Sequence, residues 1–385
     1  MNEKNKNKAK FKFYEYILYW IVTAFLLVLA IPLLIYKALA FLLRATGNPV
    51  KSVGHLLGFI LVLIIVAGGY MSYKIFYPYD IGDEVKSAMI DEDHLFSQAL
   101  TSLNEQGIIR DGYLFRQLVV RTGVDKQVTP GRYDFFGEVS LWEVYNKFKN
   151  RDIATLLVTI PEGLPSWKIA SIFQTQLQID SALFMEMVHD SSYAGRRYNL
   201  ASLEGYLFPE TYRLWYGIDA EEVIDILVKE YFKQTEGLFT KPAPNGLDPE
   251  ETMVMASIIE AEASLIEEMG LISSVYHNRL EKRMMLQADP TVIYGLGGLD
   301  RPLNRRDIRL SESPYNTYKR FGLPPGPINS PGLHAIKAAL SPDSSNYLYF
   351  VADGKGGHIF SKTLLEHNRA RNQIKRLKAL EANRE

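Results

Sequence analysis

Residues 248–263 read DPEETMVMASIIEAEA, and this stretch carries the strongest local signals in the chain. Asp248 is a typical N-cap residue, and Pro249 suits the first position of a helix. Glu250 and Glu251 place negative charge in the first turn, where the helix dipole favours it. The stretch therefore predicts one mostly apolar helix that opens at Asp248.

This predicted helix carries two carboxylates near its end. Glu260 follows Ile258 and Ile259, and such apolar surroundings raise the pKa of a carboxyl group towards the range of a general acid. Glu262 lies two residues further on, about 200° around the helix axis. Only one of the two can face a given cleft. A solvated helix face or a salt bridge is the alternative for either glutamate.

The composition excludes several classes of protein. The chain has 385 residues, which is enough for two or three modules. Its 43 Lys and Arg nearly balance its 44 Asp and Glu, which argues against a nucleic-acid-binding surface. The chain contains no cysteine, so disulfides, zinc knuckles and thiol nucleophiles are excluded. Its histidines are scattered without a metal-binding pattern, and we expect neither a metal nor another cofactor.

Two uncharged apolar runs lie in the N-terminal part of the chain. They are Ile17–Tyr36 and Leu56–Tyr73, and each is long enough to cross a bilayer. Neither has the form of a cleavable signal peptide, because the first is too long and the second begins too late. We interpret residues 1–78 as a cytoplasmic tail and a membrane anchor with one or two hydrophobic segments. The lipid bilayer is therefore an expected partner.

The charges that flank these runs predict an orientation. Lysines precede the first run, Arg44 and Lys51 lie between the runs, and acidic residues follow the second. Because cytoplasmic flanks collect Lys and Arg, we expect the large C-terminal part outside the cytoplasm. Both flanks of the first run are basic, which one crossing cannot satisfy. Pro32 would let that run fold back as a re-entrant or interfacial hairpin. The alternative is that both runs cross, with the basic N-terminus outside.

Residues 79–245 are interpreted as a stalk followed by small β–helix units. Residues 79–104 predict a helical stalk. In residues 107–145 and again in residues 157–173, a β-rich segment ends at a Gly turn and an amphipathic helix follows. Such units fit carbohydrate binding, and ordinary α+β packing is the alternative. A linker with two prolines then precedes the last domain, residues 246–385, which we expect to be mixed α+β.

Ordered blocks of sequence stand out from Leu203 onward. They comprise Leu203–Tyr212, Ala256–Ala263, Ser274–Leu280, Leu286–Gly295, Tyr315–Tyr318, Gly322–Ile328 and Tyr347–Gly354. Together they resemble the MltG/YceG-like family of membrane-anchored endolytic murein transglycosylases. Ala261 stands where that family often has lysine, and two apolar runs stand where the family usually has a single anchor.

The resemblance implies cleavage of the β-1,4 bond between N-acetylmuramic acid and N-acetylglucosamine in peptidoglycan strands, at the bacterial cell membrane. It assigns catalysis to the first glutamate of the E-x-E motif, Glu260, and it implies that the β–helix units form a LysM-like region. Such an enzyme would form 1,6-anhydro ends and release nascent strands. Peptidoglycan synthases would then be neighbours, although no residue identifies such a partner.

The implied reaction can proceed with one carboxyl group. The acid protonates the leaving oxygen and then helps the C6 hydroxyl of the substrate attack the anomeric carbon, so no water is consumed. Hydrolysing glycosidases usually need a second carboxylate, for which Asp289 is the candidate. A hydrolytic muramidase therefore stays open as an alternative, as does a non-catalytic scaffold that binds peptidoglycan.

Polar residues near the motif are candidates for substrate binding. They are Glu262, Gln287, Asp289, Thr291, Asn316 and Tyr318. Asp289 precedes a proline, which is typical of a helix N-cap, so capping is its alternative role. Gln287 would hydrogen-bond sugar hydroxyls. Asn316 and Tyr318 precede a proline-rich loop that would wall a saccharide groove, and loop-stabilising hydrogen bonds are the alternative for Asn316.

Overall fold

A computed structural model describes residues 36–37, 40, 49–90, 95–240 and 243–382 of the chain. The first apolar run lies outside these residues, except for Tyr36. The chain divides after Ala154 into two compact units. Helices and short antiparallel strands occur in both units, which confirms the mixed α+β class. The predicted boundary at residue 246 stays a prediction.

A long apolar helix begins the described part of the first unit. Helix α1 spans Pro49–Phe76, and its stretch Leu57–Phe76 is long and apolar enough to cross a bilayer. Packing within the chain buries none of that stretch, and no other described helix meets the same criteria. The sequence prediction of one apolar helix at Leu56–Tyr73 is confirmed, and its orientation across a membrane stays a prediction.

The rest of the first unit contains two antiparallel strand pairs. Strand β1 (Tyr79–Asp80) pairs with β4 (Glu138–Val139), and β2 (Lys86–Ile90) pairs with β3 (Gly131–Phe135). Three helices complete the unit: α2 (Leu95–Glu105), α3 (Gly112–Thr122) and α4 (Leu141–Lys149). The helical stalk predicted for residues 79–104 is therefore wrong for residues 79–90, because β1 and β2 pair with strands that lie far along the chain.

Aromatic side chains fill the core of this unit. Phe115, Tyr133 and Phe148 are fully buried, and the rings of Tyr133 and Phe148 meet edge to face with centroids 4.6 Å apart. Ile108 and Ile109 are also buried, but they lie in a turn rather than in the predicted β-rich segment. Burial rather than strand pairing thus explains why this short stretch is apolar.

The second unit begins with a third antiparallel pair. Strand β5 (Thr155–Thr159) pairs with β6 (Thr211–Trp215). Between them lie α5 (Ser166–Leu177), α6 (Ser181–His189) and α7 (Ser191–Tyr198), and α8 (Ala220–Gln234) follows. The strand and helix predicted within residues 157–173 are confirmed. In each unit, helices lie between two paired strands in the sequence. A LysM-like identity for either region stays a prediction.

Helix α9 (Pro249–Glu262) lies at the centre of the second unit. Asp248 and Glu251 form a capping box, and Pro249 occupies the first turn, as the sequence predicts. Residues 252–259 are all buried, which is expected of a helix that neighbours surround on every side. Its packing partners include α10 (Met269–Glu281) and α13 (Leu333–Leu340). This packing fixes the position of the last turn, where Glu260 lies.

Further elements of the second unit lie after α10 in the chain. They are α11 (Asp289–Gly295), α12 (Arg305–Leu310), the β7 (Tyr349–Ala352) and β8 (His358–Ser361) hairpin, and α14 (Leu364–Ala382). Phe350 of β7 packs edge to face against the buried Tyr276 of α10, with ring centroids 5.9 Å apart. The hairpin is thereby fixed to the helical core.

Candidate active site

Glu260 lies in the last turn of α9 and is partly buried. Its Oε2 accepts a hydrogen bond of 2.9 Å from the backbone N–H of Gly332, the N-cap residue of α13. Burial raises the pKa of the Glu260 carboxyl, the hydrogen bond from Gly332 opposes the rise, and the nearby charge of Glu162 adds to it. The net shift is upward, which suits a carboxyl group that must hold a proton before it donates it.

Glu162 is the neighbour that the sequence alone did not reveal. It lies in the turn that follows β5, and a Cβ atom placed on Gly332 would come within 1.9 Å of its Oε1. A Cβ atom on Gly163 would lie 3.4 Å from Cγ of Glu260. Gly163 has a φ of +74°, a left-handed conformation that favours glycine. Both carboxylates therefore flank Gly332.

Backbone hydrogen bonds hold this arrangement together. The N–H of Gly163 donates to the carbonyl of Ser330, and the N–H of Ser330 donates to the carbonyl of Leu164, each at 2.9 Å. Asn329 is anchored in turn by its Nδ2, which donates to the carbonyl of Ser257 in α9 at 2.9 Å. The turn after β5 and the segment before α13 are thus tied to each other and to the helix that carries Glu260.

Glu262 has different neighbours from Glu260, as the two-residue spacing predicts. Its Oε1 accepts a hydrogen bond of 3.0 Å from the hydroxyl of Tyr276. Burial raises the pKa of Glu262 to about 7, the Tyr276 hydrogen bond opposes the rise, and the charge of Asp289 adds to it. Glu262 is therefore partly protonated near neutral pH. It lies on the side of α9 that faces Asp289 rather than Glu162.

Asp289 is the first residue of α11 and not its N-cap. The N-cap is Ala288, whose N–H donates to the hydroxyl of Thr317 at 3.0 Å. The carboxylate of Asp289 instead accepts a hydrogen bond of 2.6 Å from the hydroxyl of Tyr318. The capping role considered for Asp289 is therefore wrong. Asp289 and the neighbouring Gln287 are both exposed, so both side chains are accessible to a ligand.

Thr291 and Asn316 have structural roles here. Both are fully buried. The Thr291 hydroxyl donates to the carbonyl of Ala288 at 2.7 Å. The Asn316 Nδ2 donates to the carbonyls of Ile308 and Ser311, and its Oδ1 accepts from the N–H of Tyr318. The loop-stabilising alternative therefore describes Asn316. A contact of either side chain with substrate stays a prediction.

An aromatic row is a second feature that sequence reasoning missed. The rings of Trp167 and Tyr294 have centroids 5.1 Å apart, and those of Tyr294 and Tyr315 are 4.7 Å apart. The Tyr294 hydroxyl donates to buried Glu204 at 3.0 Å, and the Ser166 hydroxyl donates to the same carboxyl group at 2.6 Å. Burial raises the pKa of Glu204. Partly exposed aromatic rings of this kind can stack on the apolar faces of sugars.

Two histidines of this unit contact other side chains and backbone groups. His277 lies between the side chain of Asn245 and the carbonyl of Ala339, and its Nδ1 and Nε2 contact them at 3.0 Å each. His358 pairs with Glu268 through Nδ1 at 2.7 Å. Within the described residues no group of three or more His, Asp or Glu side chains could hold a metal ion.

Comparisons with known proteins agree on one family. A sequence model of the YceG-like family matches residues 88–373. An endolytic murein transglycosylase from Bacillus subtilis (strain 168) is 42% identical over 173 residues, which are 44% of this chain and 47% of that protein. One from Streptococcus pneumoniae serotype 2 (strain D39) is 27% identical over 340 residues, 78% of this chain and 61% of that protein. The chain thus spans between about half and three fifths of these relatives' length.

A solved structure supports the fold independently. The crystal structure of a yceG-like protein from Listeria monocytogenes superposes with a TM-score of 0.51 at 30% sequence identity. The match covers 75% of this chain and 99% of that chain.

Proposed function

Because this chain belongs to the YceG-like family, we propose that it is an endolytic transglycosylase that cleaves the β-1,4 bond between N-acetylmuramic acid and N-acetylglucosamine within peptidoglycan strands. The names of the curated relatives support the reaction class. The observation that carries the proposal is Glu260, a carboxyl group with a raised pKa at the end of the central helix, beside a second carboxylate.

The first step uses the proton of Glu260. The protonated carboxyl group donates it to the glycosidic oxygen while the bond from that oxygen to C1 of N-acetylmuramic acid breaks. Positive charge develops on the sugar ring at C1 and its ring oxygen. The N-acetylglucosamine fragment leaves as an alcohol, and Glu260 is left as a carboxylate.

The second step returns the proton to Glu260. The carboxylate accepts the proton of the C6 hydroxyl of the same N-acetylmuramic acid, and O6 forms a bond to C1. The product is a 1,6-anhydro ring, and the acid is regenerated without consumption of water. One carboxyl group therefore completes both proton transfers, since the nucleophile belongs to the substrate.

Two alternatives make different chemical demands. A muramidase needs a carboxylate placed to activate water, and Asp289 was the candidate. Its carboxylate accepts the Tyr318 hydroxyl and acts on the pKa of Glu262, whereas the charge that acts on Glu260 is that of Glu162. A non-catalytic scaffold needs no acid with a raised pKa. A scaffold therefore leaves the raised pKa of Glu260 without a purpose, whereas a muramidase is distinguished from the transglycosylase by its products, because Glu162 already lies beside Glu260 as a second carboxylate.

We further propose that α1 anchors the chain in the bacterial cell membrane, with the second unit outside the cytoplasm. The apolar, unburied stretch Leu57–Phe76 and the acidic residues that follow it support this orientation. An enzyme held there would cut strands close to where they are made, and would release nascent strands beside peptidoglycan synthases. The exposed Gln287 and Asp289, together with Tyr318, are proposed to contact the glycan or its stem peptides.

The test incubates the detergent-solubilised chain with purified peptidoglycan and identifies the products by mass spectrometry. Glu260→Gln removes the proton donor while it keeps the size of the side chain, and Glu250→Gln changes an exposed acid on the same helix as a control. We expect 1,6-anhydro ends from the wild type and from Glu250→Gln, and none from Glu260→Gln. Reducing ends, which are one water heavier, would indicate a hydrolase. Binding without any cleavage would indicate a scaffold.

A further inference from the structure

Glu162 is an exposed carboxylate with no partner of its own. No described residue forms a hydrogen bond or an ion pair with its side chain, although exposed acids on the same unit, such as Glu221, have basic partners. The side chain is instead held against Gly332, the residue whose N–H binds Glu260. What lies beside it is the proposed proton donor.

The backbone around Glu162 is built to keep it there. The flanking Gly163 has a left-handed φ of +74° and donates its N–H to the carbonyl of Ser330. Gly332 leaves open the space that the Glu162 carboxylate fills, since a Cβ atom there would overlap Oε1 and also Cδ at 2.2 Å. Two glycines at separate points of the chain thus fit one carboxylate beside another.

The nearby charge of Glu162 raises the pKa of Glu260, and both side chains lie against Gly332. Glu260 is the more buried of the two, and its raised pKa favours the protonated form, whereas the side chain of Glu162 is exposed to solvent. A negative charge beside the proton donor then lies where the positive charge of the breaking glycosidic bond develops.

We propose that Glu162 is the second carboxylate of the active site, and that its negative charge stabilises the cationic sugar ring formed when Glu260 protonates the glycosidic oxygen. This inference rests on the proposed function. Glu162 takes no proton and forms no bond in the cycle: the proton moves from Glu260 to the leaving oxygen and is replaced by the proton of the C6 hydroxyl. Its contribution is electrostatic and is largest in the transition state.

The test compares Glu162→Gln with the wild type in steady-state cleavage of glycan strands by the solubilised full-length chain. Loss of the charge is expected to lower kcat roughly 100-fold, the scale of removing one electrostatic group from an active site, while KM changes little. The alkaline limb of the pH–kcat profile should also move to lower pH, because Glu260 loses the neighbour that keeps it protonated. Glu162→Asp keeps the charge and should leave that limb in its wild-type position.

Glu186→Gln, at an exposed position of α6, is the matched control and should keep both kcat and the pH profile. Thermal unfolding of each variant shows that the fold is intact. If the wild type cleaves and Glu260→Gln does not, yet Glu162→Gln keeps its kcat and its alkaline limb, the inference about Glu162 is overturned and the proposed function stands. If the wild type forms no 1,6-anhydro ends, the proposed function itself has failed.

Discussion

The carboxyl group of Glu262 makes the stability of the second unit depend on pH in a way that one substitution can isolate. Burial raises the pKa of Glu262 from its usual 4.5 to about 7. A carboxyl group whose pKa is higher in the folded chain stabilises the fold below its unfolded pKa, and that contribution is lost as the pH rises through the folded value. The window for Glu262 therefore runs from about pH 4.5 to about pH 7.

The size of the effect follows from the same shift. A rise from 4.5 to about 7 corresponds to about 3 kcal/mol at roughly 1.4 kcal/mol per pKa unit. Because Glu262 is only partly buried, this value is an upper limit. Glutamine at this position stays neutral at every pH and can still accept the hydroxyl of Tyr276. The variant Glu262→Gln should therefore match the wild type in acid and exceed its free energy of unfolding above neutral pH.

Urea denaturation of the solubilised chain, followed by tryptophan fluorescence, to which Trp167 and Trp215 of the second unit contribute, gives this free energy across the window. Other groups titrate equally in both proteins, so only the difference between variant and wild type is used. Tyr276→Phe removes the hydrogen bond that favours the ionised carboxylate, and it should extend the window to higher pH. A difference that stays constant from about pH 4 to about pH 8 would refute the assignment of a raised pKa to Glu262.

Two further substitutions test the positioning of the site. Gly332→Ala places a methyl group 1.9 Å from Oε1 of Glu162, so it should displace that carboxylate and lower kcat while the thermal midpoint changes little, since Gly332 has an ordinary φ of −74°. Asn316→Ala removes a buried amide that makes three hydrogen bonds, and it should lower the free energy of unfolding by about 2–3 kcal/mol, measured by urea denaturation.

The parts of the fold that the sequence predicted correctly are those decided by local chemistry. The start of α9 is specified within four residues by Asp248, Pro249 and Glu251, which cap the helix themselves. The apolar helix α1 follows from the composition of a single run. Neither needs a distant partner, so a pattern along the chain is enough to identify each.

The errors arose where distant residues decide the conformation. Residues 79–90 resemble a helix in composition, but Tyr79–Asp80 and Lys86–Ile90 pair with β4 and β3 some fifty residues later and so form strands. Asp289 before a proline has the sequence of an N-cap. A hydrogen bond from the N–H of Ala288 to the hydroxyl of Thr317 helps to place the cap one residue earlier and leaves the carboxylate for Tyr318.

The candidate site contains one residue whose surroundings follow from the local sequence and one whose position depends on distant residues. The apolar residues before Glu260 predicted a raised pKa, and the family resemblance assigned it the role of the acid; the raised pKa is observed, and the catalytic role stays a proposal. Glu162 could not be predicted, because what brings it to Glu260 is a pair of backbone hydrogen bonds between Gly163, Leu164 and Ser330, groups that every residue carries. Because backbone pairing does not require particular side chains, it cannot be recognised from residue types. Two glycines are the sequence feature that accompanies this arrangement. Gly163 has a left-handed φ, and at Gly332 the carboxylate of Glu162 occupies the space of a Cβ atom.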